Sequence, residues 1–141
     1  MREADVVEGA HRHFERTYPD RNVSFCRECD APVARGRPDL VFVQSKRNVV
    51  HVVEAKAHAE DAWGGLMQLD RYPGNHKWLA LPYDEYEGSE GGIASACSER
   101  GYGLLLIYGQ ERLHSVVRRW PTRFEGDFLS HYPEAEEMWE G

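Results

Sequence analysis

The stretch RPDLVFVQSKRNVVHVVEAK, residues 37–56, decides the fold of this chain. It contains two runs rich in valine, residues 40–43 and 49–53, joined by the polar segment 45–48. Such runs predict β-strands, and a short polar connector between them predicts a hairpin. Because both runs are almost continuously apolar, we expect both strands to be central and covered on both faces.

Three charged residues lie at the open end of this hairpin. Asp39 precedes the first run, and Glu54 and Lys56 follow the second. A hairpin centred on residues 46–47 places Asp39 opposite Glu54, whereas a loop of odd length would break this opposition. Directly opposed residues have Cβ atoms about 4.5–5.5 Å apart and point to one face. Lys56 lies two residues beyond Glu54 and points to the same face.

Two opposed carboxylates at about 5 Å repel each other by roughly 3 kcal/mol at an effective dielectric near 20. A cation between them turns this repulsion into attraction. Carboxylate oxygens with room for water suit Mg²⁺ or Mn²⁺. The ammonium group of Lys56 can orient or deprotonate an attacking water, or stabilise phosphate charge. The alternative is a set of solvated charges at exposed strand ends.

The rest of the chain predicts helices and strands around the hairpin. In the first helix, Val7, Ala10, Phe14 and Thr17 recur on one face, which also carries Glu3. Glu8 lies on the opposite side, where we expect its charge to be simply solvated. The resulting order, α-β-β-β-α-β-α-β, predicts an α/β fold with a mixed central sheet flanked by helices. The predicted elements are a helix over 3–17, strands over 22–28, 40–43 and 49–53, a helix over 59–72, a strand over 77–81, a helix over 91–100, strands over 102–108 and 113–119, and a surface tail from residue 122.

Length and composition predict one domain, residues 1–141, in an intracellular, cytoplasmic protein. No apolar run approaches the roughly 18 residues of a membrane helix, and the three cysteines predict no disulfide framework. The spacing of Cys26 and Cys29 is that of metal ligands, but no second pair completes a zinc site. The net charge of −7 disfavours non-specific electrostatic binding of nucleic acid by the whole surface. Binding through a local basic patch stays open.

The hairpin segment resembles the core of the PD-(D/E)xK, or restriction-endonuclease-like, nuclease superfamily. Pro38-Asp39 matches the first element of its motif and Glu54-Ala55-Lys56 the second. The resemblance implies an α-β-β-β-α-β core over about residues 2–82, with C-terminal additions over 83–141. It also implies that Asp39, Glu54 and the backbone carbonyl of Ala55 hold Mg²⁺ or Mn²⁺, and that Lys56 positions or activates the water.

Two further features are similar to this superfamily. Its first helix often supplies an acidic residue to the metal site, and Glu3 is the best match here. Gln68 and Tyr72 resemble the QxxxY element of the RecB-like and Cas4-like branch, which implies that Gln68 supports the site and Tyr72 approaches the nucleic acid. Three cysteines cannot rebuild the four-cysteine iron–sulfur site of Cas4-like nucleases.

Arg35 and Arg37 precede Asp39 and are candidates for holding phosphates near the metal, although each also fits a solvated surface. The expected function is metal-dependent hydrolysis of DNA phosphodiester bonds, in DNA repair or defence. The alternatives are a catalytically inactive nuclease-like subunit that binds nucleic acid or protein in a larger assembly, and a structure-specific endonuclease similar to Holliday-junction resolvases. Endonuclease or exonuclease action, DNA or RNA as substrate, and a homodimer or larger assembly stay open.

Overall fold

A six-stranded mixed sheet forms the centre of the fold. The computed structural model describes residues 1–18, 23–44, 49–89, 91–108, 112–117 and Tyr132. In chain order the elements are α1 (Glu3–Thr17), β1 (Val23–Arg27), β2 (Leu40–Gln44), β3 (Val49–Ala55), a 3-10 turn (Ala59–Asp61), α2 (Ala62–Arg71), β4 (His76–Pro82), α3 (Tyr83–Glu87), α4 (Ile93–Arg100), β5 (Gly103–Tyr108) and β6 (Arg112–Val117).

The strands lie side by side in chain order from β1 to β6. β1, β2 and β3 are antiparallel neighbours, β3, β4 and β5 run parallel, and β6 closes the sheet antiparallel to β5. Between β2 and β3, Gln44 pairs with Val49 and Leu40 with Val53. The predicted register of the hairpin is therefore confirmed, while its predicted connector, residues 45–48, lies outside the described residues.

Helices cover both faces of the sheet. α1 packs on one face, where Val6, Ala10 and Phe14 contact apolar side chains from the central strands. α2 and α4 pack on the other, where Leu66 and Leu69 join the second half of the core. In β2, Leu40 to Val43 are buried and Gln44 is half-buried. Covered faces explain why β2 and β3 are almost continuously apolar, and the predicted α/β class is confirmed.

The structure corrects three details of the predicted helices. The buried face of α1 includes Val6 and Gly9 as well as Ala10 and Phe14, so the helix is rotated slightly from the predicted stripe, and Val7 is only half-buried. The predicted helix over 59–72 is a 3-10 turn followed by α2. The short helix α3, which follows Pro82 directly, was not predicted.

The C-terminal additions extend the same sheet, since β5 pairs with β4 and β6 forms the predicted edge. Most of the predicted surface tail from Thr122 lies outside the described residues. Its described residue, Tyr132, is buried and donates a hydrogen bond to the carbonyl of Pro73 at 2.6 Å. In the described part of the chain, no helix combines the length and apolar character needed to cross a membrane.

Candidate functional site

The end of the β2–β3 hairpin brings Asp39 and Glu54 together. The Asp39 N–H donates to Glu54 Oε1 at 3.1 Å, and the Ala55 N–H donates to Asp39 Oδ2 at 2.8 Å. Each carboxylate therefore bonds the backbone of the opposite strand segment. Asp39 is one residue before Leu40, which pairs with Val53, so the ladder leads directly to this arrangement. The two acids meet because the strands continue their register past the last ladder pair.

Both carboxyl groups resist ionisation in this position. Glu54 is only 2% exposed. Burial, and then the negative charge of Asp39, raise the pKa of Glu54 to about 8, against the small opposing effect of Lys56. Burial also raises the pKa of Asp39, and the charge of Glu3 adds to that effect. When both groups are ionised, a cation between them would offset their repulsion.

The Ala55 backbone faces the same location. Within an antiparallel ladder, the N–H and C=O of one residue point toward the same neighbouring strand. Because the Ala55 N–H donates to Asp39, its carbonyl also faces the side of Asp39. The structure thus brings together two carboxylates and one carbonyl, the three groups expected to hold the metal.

Lys56 follows on the same face as Glu54. Its Nζ lies 4.0 Å from Glu54 Oε2, and its backbone N–H donates to the carbonyl of Ala80 at 3.0 Å, which fixes the strand end. Gly65 of α2 lies against the lysine stem: a Cβ added there would be 3.3 Å from Lys56 Cε and 2.9 Å from Leu79 Cδ1. The helix can approach the strand this closely because residue 65 has no side chain.

Gln68 lies on the side of α2 that lines the cleft. α2 packs on the sheet face that carries the two carboxylates, and Gln68 lines the same cleft as Lys56. Its Oε1 atom is buried and has no hydrogen-bond partner in the described structure. An unpaired buried acceptor is costly, so this oxygen is ready to accept a hydrogen bond from a bound water or ligand.

Tyr72 does not reach outward as expected for a residue that touches nucleic acid. Its side chain is 2% exposed and belongs to the core. The hydroxyl packs so closely on Gly36 that an added Cβ there would lie 2.5 Å from it. Tyr72 instead supports the loop that carries Arg35 and Arg37. Burial, and then the charge of Glu54, raise its pKa, which shows how near it lies to the site.

The loop before Asp39 is held by its own backbone. Ala31 and Gly36 pair across it, with the Ala31 N–H donating to the Gly36 carbonyl at 2.8 Å. Arg35 has a left-handed backbone, with φ of 56°, and donates its N–H to Pro32. The side chains of Arg35 and Arg37 are both exposed. The loop therefore presents two cations close to Asp39 in sequence, with Tyr72 beneath it.

Glu3 reaches the site from the opposite side of the sheet. α1 packs on the face away from α2, but its first turn extends to the end of the sheet that carries the acids. Glu3 lies close enough to raise the pKa of Asp39, although less than burial does. Glu8, expected to be simply solvated, instead accepts hydrogen bonds from Arg12 at 3.1 Å and from Arg27 at 2.5 Å. This pairing corrects the expectation for Glu8 and ties α1 to β1.

A cleft of about 610 Å³ opens beside Lys56. Its charged residues are Glu3, Lys56, Glu60, Asp61 and Arg71, so acids and bases are mixed. Asp39 lines a separate cavity of about 210 Å³, bounded by Ala4 of α1 and by Arg27. The first turn of α1 lies between the two spaces, since Glu3 lines one and Ala4 the other.

The other candidate metal ligands are not assembled into a site. Cys26, Cys29 and Cys97 are buried and form no disulfide. Over the ranges that the structure describes, no three histidine, cysteine or acidic side chains form a group that could hold a metal. Asp39, Glu54 and the Ala55 carbonyl offer oxygen donors alone, the donor type that a hard divalent cation prefers.

Sequence reasoning missed the glycines and the outer face of α2. Two adjacent glycines weaken a helix by about 1 kcal/mol each, yet Gly65 allows close packing against Lys56 and Leu79. Trp63 and Met67 were not identified, yet both are exposed, and Met67 lines the cleft. Their spacing of four residues was the available signal, because it places two large apolar side chains on one helix face.

The fold is similar to the solved structure of a protein of unknown function from Silicibacter pomeroyi. The TM-score is 0.63, with 15% sequence identity, over 97% of this chain and 87% of that one. At this identity the likeness shows a shared fold alone. No family model matches the sequence, and no curated protein matches it.

Proposed function

We propose that the protein is a metal-dependent nuclease that hydrolyses DNA phosphodiester bonds, as expected from its resemblance to the PD-(D/E)xK superfamily. One observation carries this proposal. Asp39 and Glu54 meet in a buried position at the end of the sheet, with Lys56 Nζ 4.0 Å from Glu54. Buried acids without a shared cation are unfavourable, and the β-hairpin forces these two together.

Asp39, Glu54 and the Ala55 carbonyl would hold Mg²⁺ or Mn²⁺. When bound, the metal supplies Lewis-acid stabilisation of the phosphoryl oxygens and lowers the pKa of a coordinated water. The described carboxylates offer oxygens only, which suits these hard cations rather than zinc. Glu3 adds negative charge from the first turn of α1 and would assist through a water.

Lys56 would position the attacking water and stabilise the charge that grows on the phosphate. Its stem is fixed between Gly65 and the strand, so the ammonium is presented at one place. The unpartnered Oε1 of Gln68 would accept a hydrogen bond from a water in the same cleft. Arg35, Arg37 and Arg71 supply exposed positive charge around an otherwise acidic chain and would hold the DNA backbone.

A second candidate is a nuclease-like subunit that binds nucleic acid without cutting it. It is favoured by one observation, that no group of three candidate ligand side chains is present among the described residues. Two carboxylates and a carbonyl leave more of the coordination to water than a three-acid site would. The same assay separates the two candidates.

The test is incubation of the purified protein with single-stranded, duplex, flapped and four-way DNA, with Mn²⁺ or with EDTA. We expect cleavage of at least one substrate with Mn²⁺ and none with EDTA. Asp39→Asn should abolish it, while Glu15→Gln, an exposed change on α1, should not. Binding without cleavage under every condition would select the second candidate, and cleavage confined to four-way DNA would select a resolvase-like activity.

A further inference from the structure

The outer face of α2 carries two large apolar side chains that the core does not use. Trp63 is 49% exposed and Met67 is 66% exposed, and the two lie one helical turn apart. Single exposed hydrophobic residues are common on protein surfaces. A pair on one helix face, with Met67 lining the cleft that contains Lys56, is a more specific feature.

The Trp63 ring lies beside Gly92, where an added Cβ would be 3.6 Å from Trp63 Cζ2. About half of the residue stays open to solvent. An indole is rigid and has only two side-chain torsions, so it loses little conformational freedom when a planar ligand stacks on it.

Gly64 leaves the helix surface bare beside this platform. It lines the cleft, and an added Cβ there would meet nothing within 4 Å. Packing explains Gly65, but it does not explain Gly64. A glycine that weakens a helix without serving the core allows a ligand to approach the backbone closely.

Arg71 continues the same side of α2 one turn beyond Met67 and lines the cleft. It is exposed and makes no ion pair with any residue that the structure describes, whereas the nearby Arg100 is paired with Asp70 at 3.1 Å. Trp63, Met67 and Arg71 thus offer a stacking surface followed by a free cation. This order matches a nucleobase and its adjoining phosphate.

We propose that Trp63 and Met67 form a binding site for an unpaired nucleobase, with Arg71 on the neighbouring phosphate and Gly64 giving the strand room to enter. The site rests on the proposed nuclease function and names its substrate class as single-stranded nucleic acid. A duplex hides its base faces and carries about twice the phosphate charge per unit length of one strand, for which a cleft containing Glu3, Glu60 and Asp61 is poorly suited. A single strand exposes the faces that tryptophan and methionine bind.

The test measures binding of the Asp39→Asn protein, with Ca²⁺ present, by fluorescence anisotropy. The probes are a labelled oligo-dT strand of about 15 nucleotides and a blunt duplex of the same length, which suit the site sizes of such surfaces. We expect tighter binding of the single strand. Trp63→Ala should weaken that binding by about five- to a hundredfold, the range for loss of one stacked base. Trp63→Phe should restore most of it.

Two further variants separate the site from a merely structural role. Gly64→Leu should leave the thermal midpoint unchanged or higher and still weaken binding of the single strand. Arg71→Ala should reduce the slope of log affinity against log salt concentration by about one. Arg16→Ala, an exposed change at the far end of α1, should leave the slope unchanged. The proposal would be overturned by equal affinity for both probes or by unchanged binding in Trp63→Ala. It would also be overturned if Trp63→Ala dissociated a dimer, because the tryptophan would then lie at a subunit interface.

Failure of the stacking site and failure of the nuclease function give different results. Hydrolysis of bis(p-nitrophenyl) phosphate by the wild-type protein tests the metal site without any base to stack. If the protein hydrolyses this substrate but Trp63→Ala does not change its binding of the single strand, the stacking site alone is rejected. Binding that depends on Trp63, together with no Mn²⁺-dependent hydrolysis of any substrate, would reject the nuclease function alone.

Discussion

The backbone N–H of Asp39 donates a hydrogen bond to Glu54 Oε1 at 3.1 Å and so holds the two acidic residues together. A second bond, from the Ala55 N–H to Asp39 Oδ2 at 2.8 Å, locks the pair from the other strand. Backbone donors therefore hold two carboxylates side by side in a place where burial disfavours their charge. The fold accepts this cost at the end of an otherwise apolar hairpin, as functional sites commonly require.

The thermal stability of the protein should depend on pH through Glu54. Folding raises the pKa of Glu54 from 4.5 to about 8, so the folded state binds this proton more tightly than the unfolded state does. The stability from this group is fully present below pH 4.5 and is lost as pH rises through about 8. In EDTA, the thermal midpoint should therefore fall by several degrees across this window. Thermal melts at a series of pH values measure it.

Mn²⁺ should reverse this loss, because it replaces the proton between the two acids, and its stabilising effect should be larger at high pH than at low pH. Glu54→Gln mimics the protonated acid and should flatten the pH dependence in EDTA. A midpoint in EDTA that rises steadily from acid to neutral pH would contradict the placement of this acid pair.

Lys56→Ala should reduce DNA cleavage by at least about a hundredfold, the lower range for loss of a group that handles protons in the transition state. Its side chain is 17% exposed and its stem packs beside Gly65, so the change should also cost some stability while the fold persists. The matched control is Lys77→Ala, which removes a lysine near the opposite end of β4, over the ring of Tyr102. Initial rates at fixed Mn²⁺, together with circular dichroism, give the comparison. Equal rates for Lys56→Ala and wild type would remove Lys56 from the mechanism.

Glu3→Gln should weaken metal-dependent cleavage by about 10- to 100-fold, the scale for groups that support metal ligands. Glu8→Gln should leave the rate nearly unchanged, and its effect should be a small loss of stability, because Glu8 pairs with Arg12 and Arg27 at the surface. Titrating Mn²⁺ for each variant distinguishes weaker metal binding from slower chemistry. A larger kinetic effect for Glu8 would mean that the helix presents the other side to the site.

The adjacent glycines of α2 should respond oppositely to alanine. Gly64→Ala should stabilise the protein by up to about 1 kcal/mol, because alanine is the better helix former and no atom obstructs it. Gly65→Ala should destabilise it by about 1–3 kcal/mol, because the new methyl group overlaps buried Leu79 and the Lys56 stem. Urea unfolding of both variants is the measurement. Stabilisation by both changes would show that α2 lies farther from β3 than the structure places it.

The sequence was sufficient for the central relationship because a hairpin has a fixed two-residue alternation. Once Gln44 was placed opposite Val49, the pairing of Asp39 with Glu54 followed by counting, and the structure has this register. The valine runs also predicted strands covered on both faces, since apolar side chains at consecutive positions have no solvent side.

Details that depend on packing were beyond the sequence pattern. The rotation of α1 is set by contacts of Val6 and Phe14 with the sheet, and a three-to-four-residue repeat tolerates such a shift. The burial of Tyr72 depends on Gly36, a residue distant in sequence whose missing side chain makes room for the ring. The ion pair of Glu8 with Arg27 joins α1 to β1 and has no local signal.

The most direct test of the metal site is a crystal of the wild-type protein soaked in Mn²⁺, with diffraction collected at the manganese absorption edge. We expect one anomalous peak that contacts Asp39, Glu54 and the Ala55 carbonyl, at about 2.0–2.4 Å from their oxygens, the range for hard divalent cations. The same soak of Asp39→Asn should show no peak there. A peak elsewhere, or carboxylates that point away from each other in the wild-type crystal, would contradict the account.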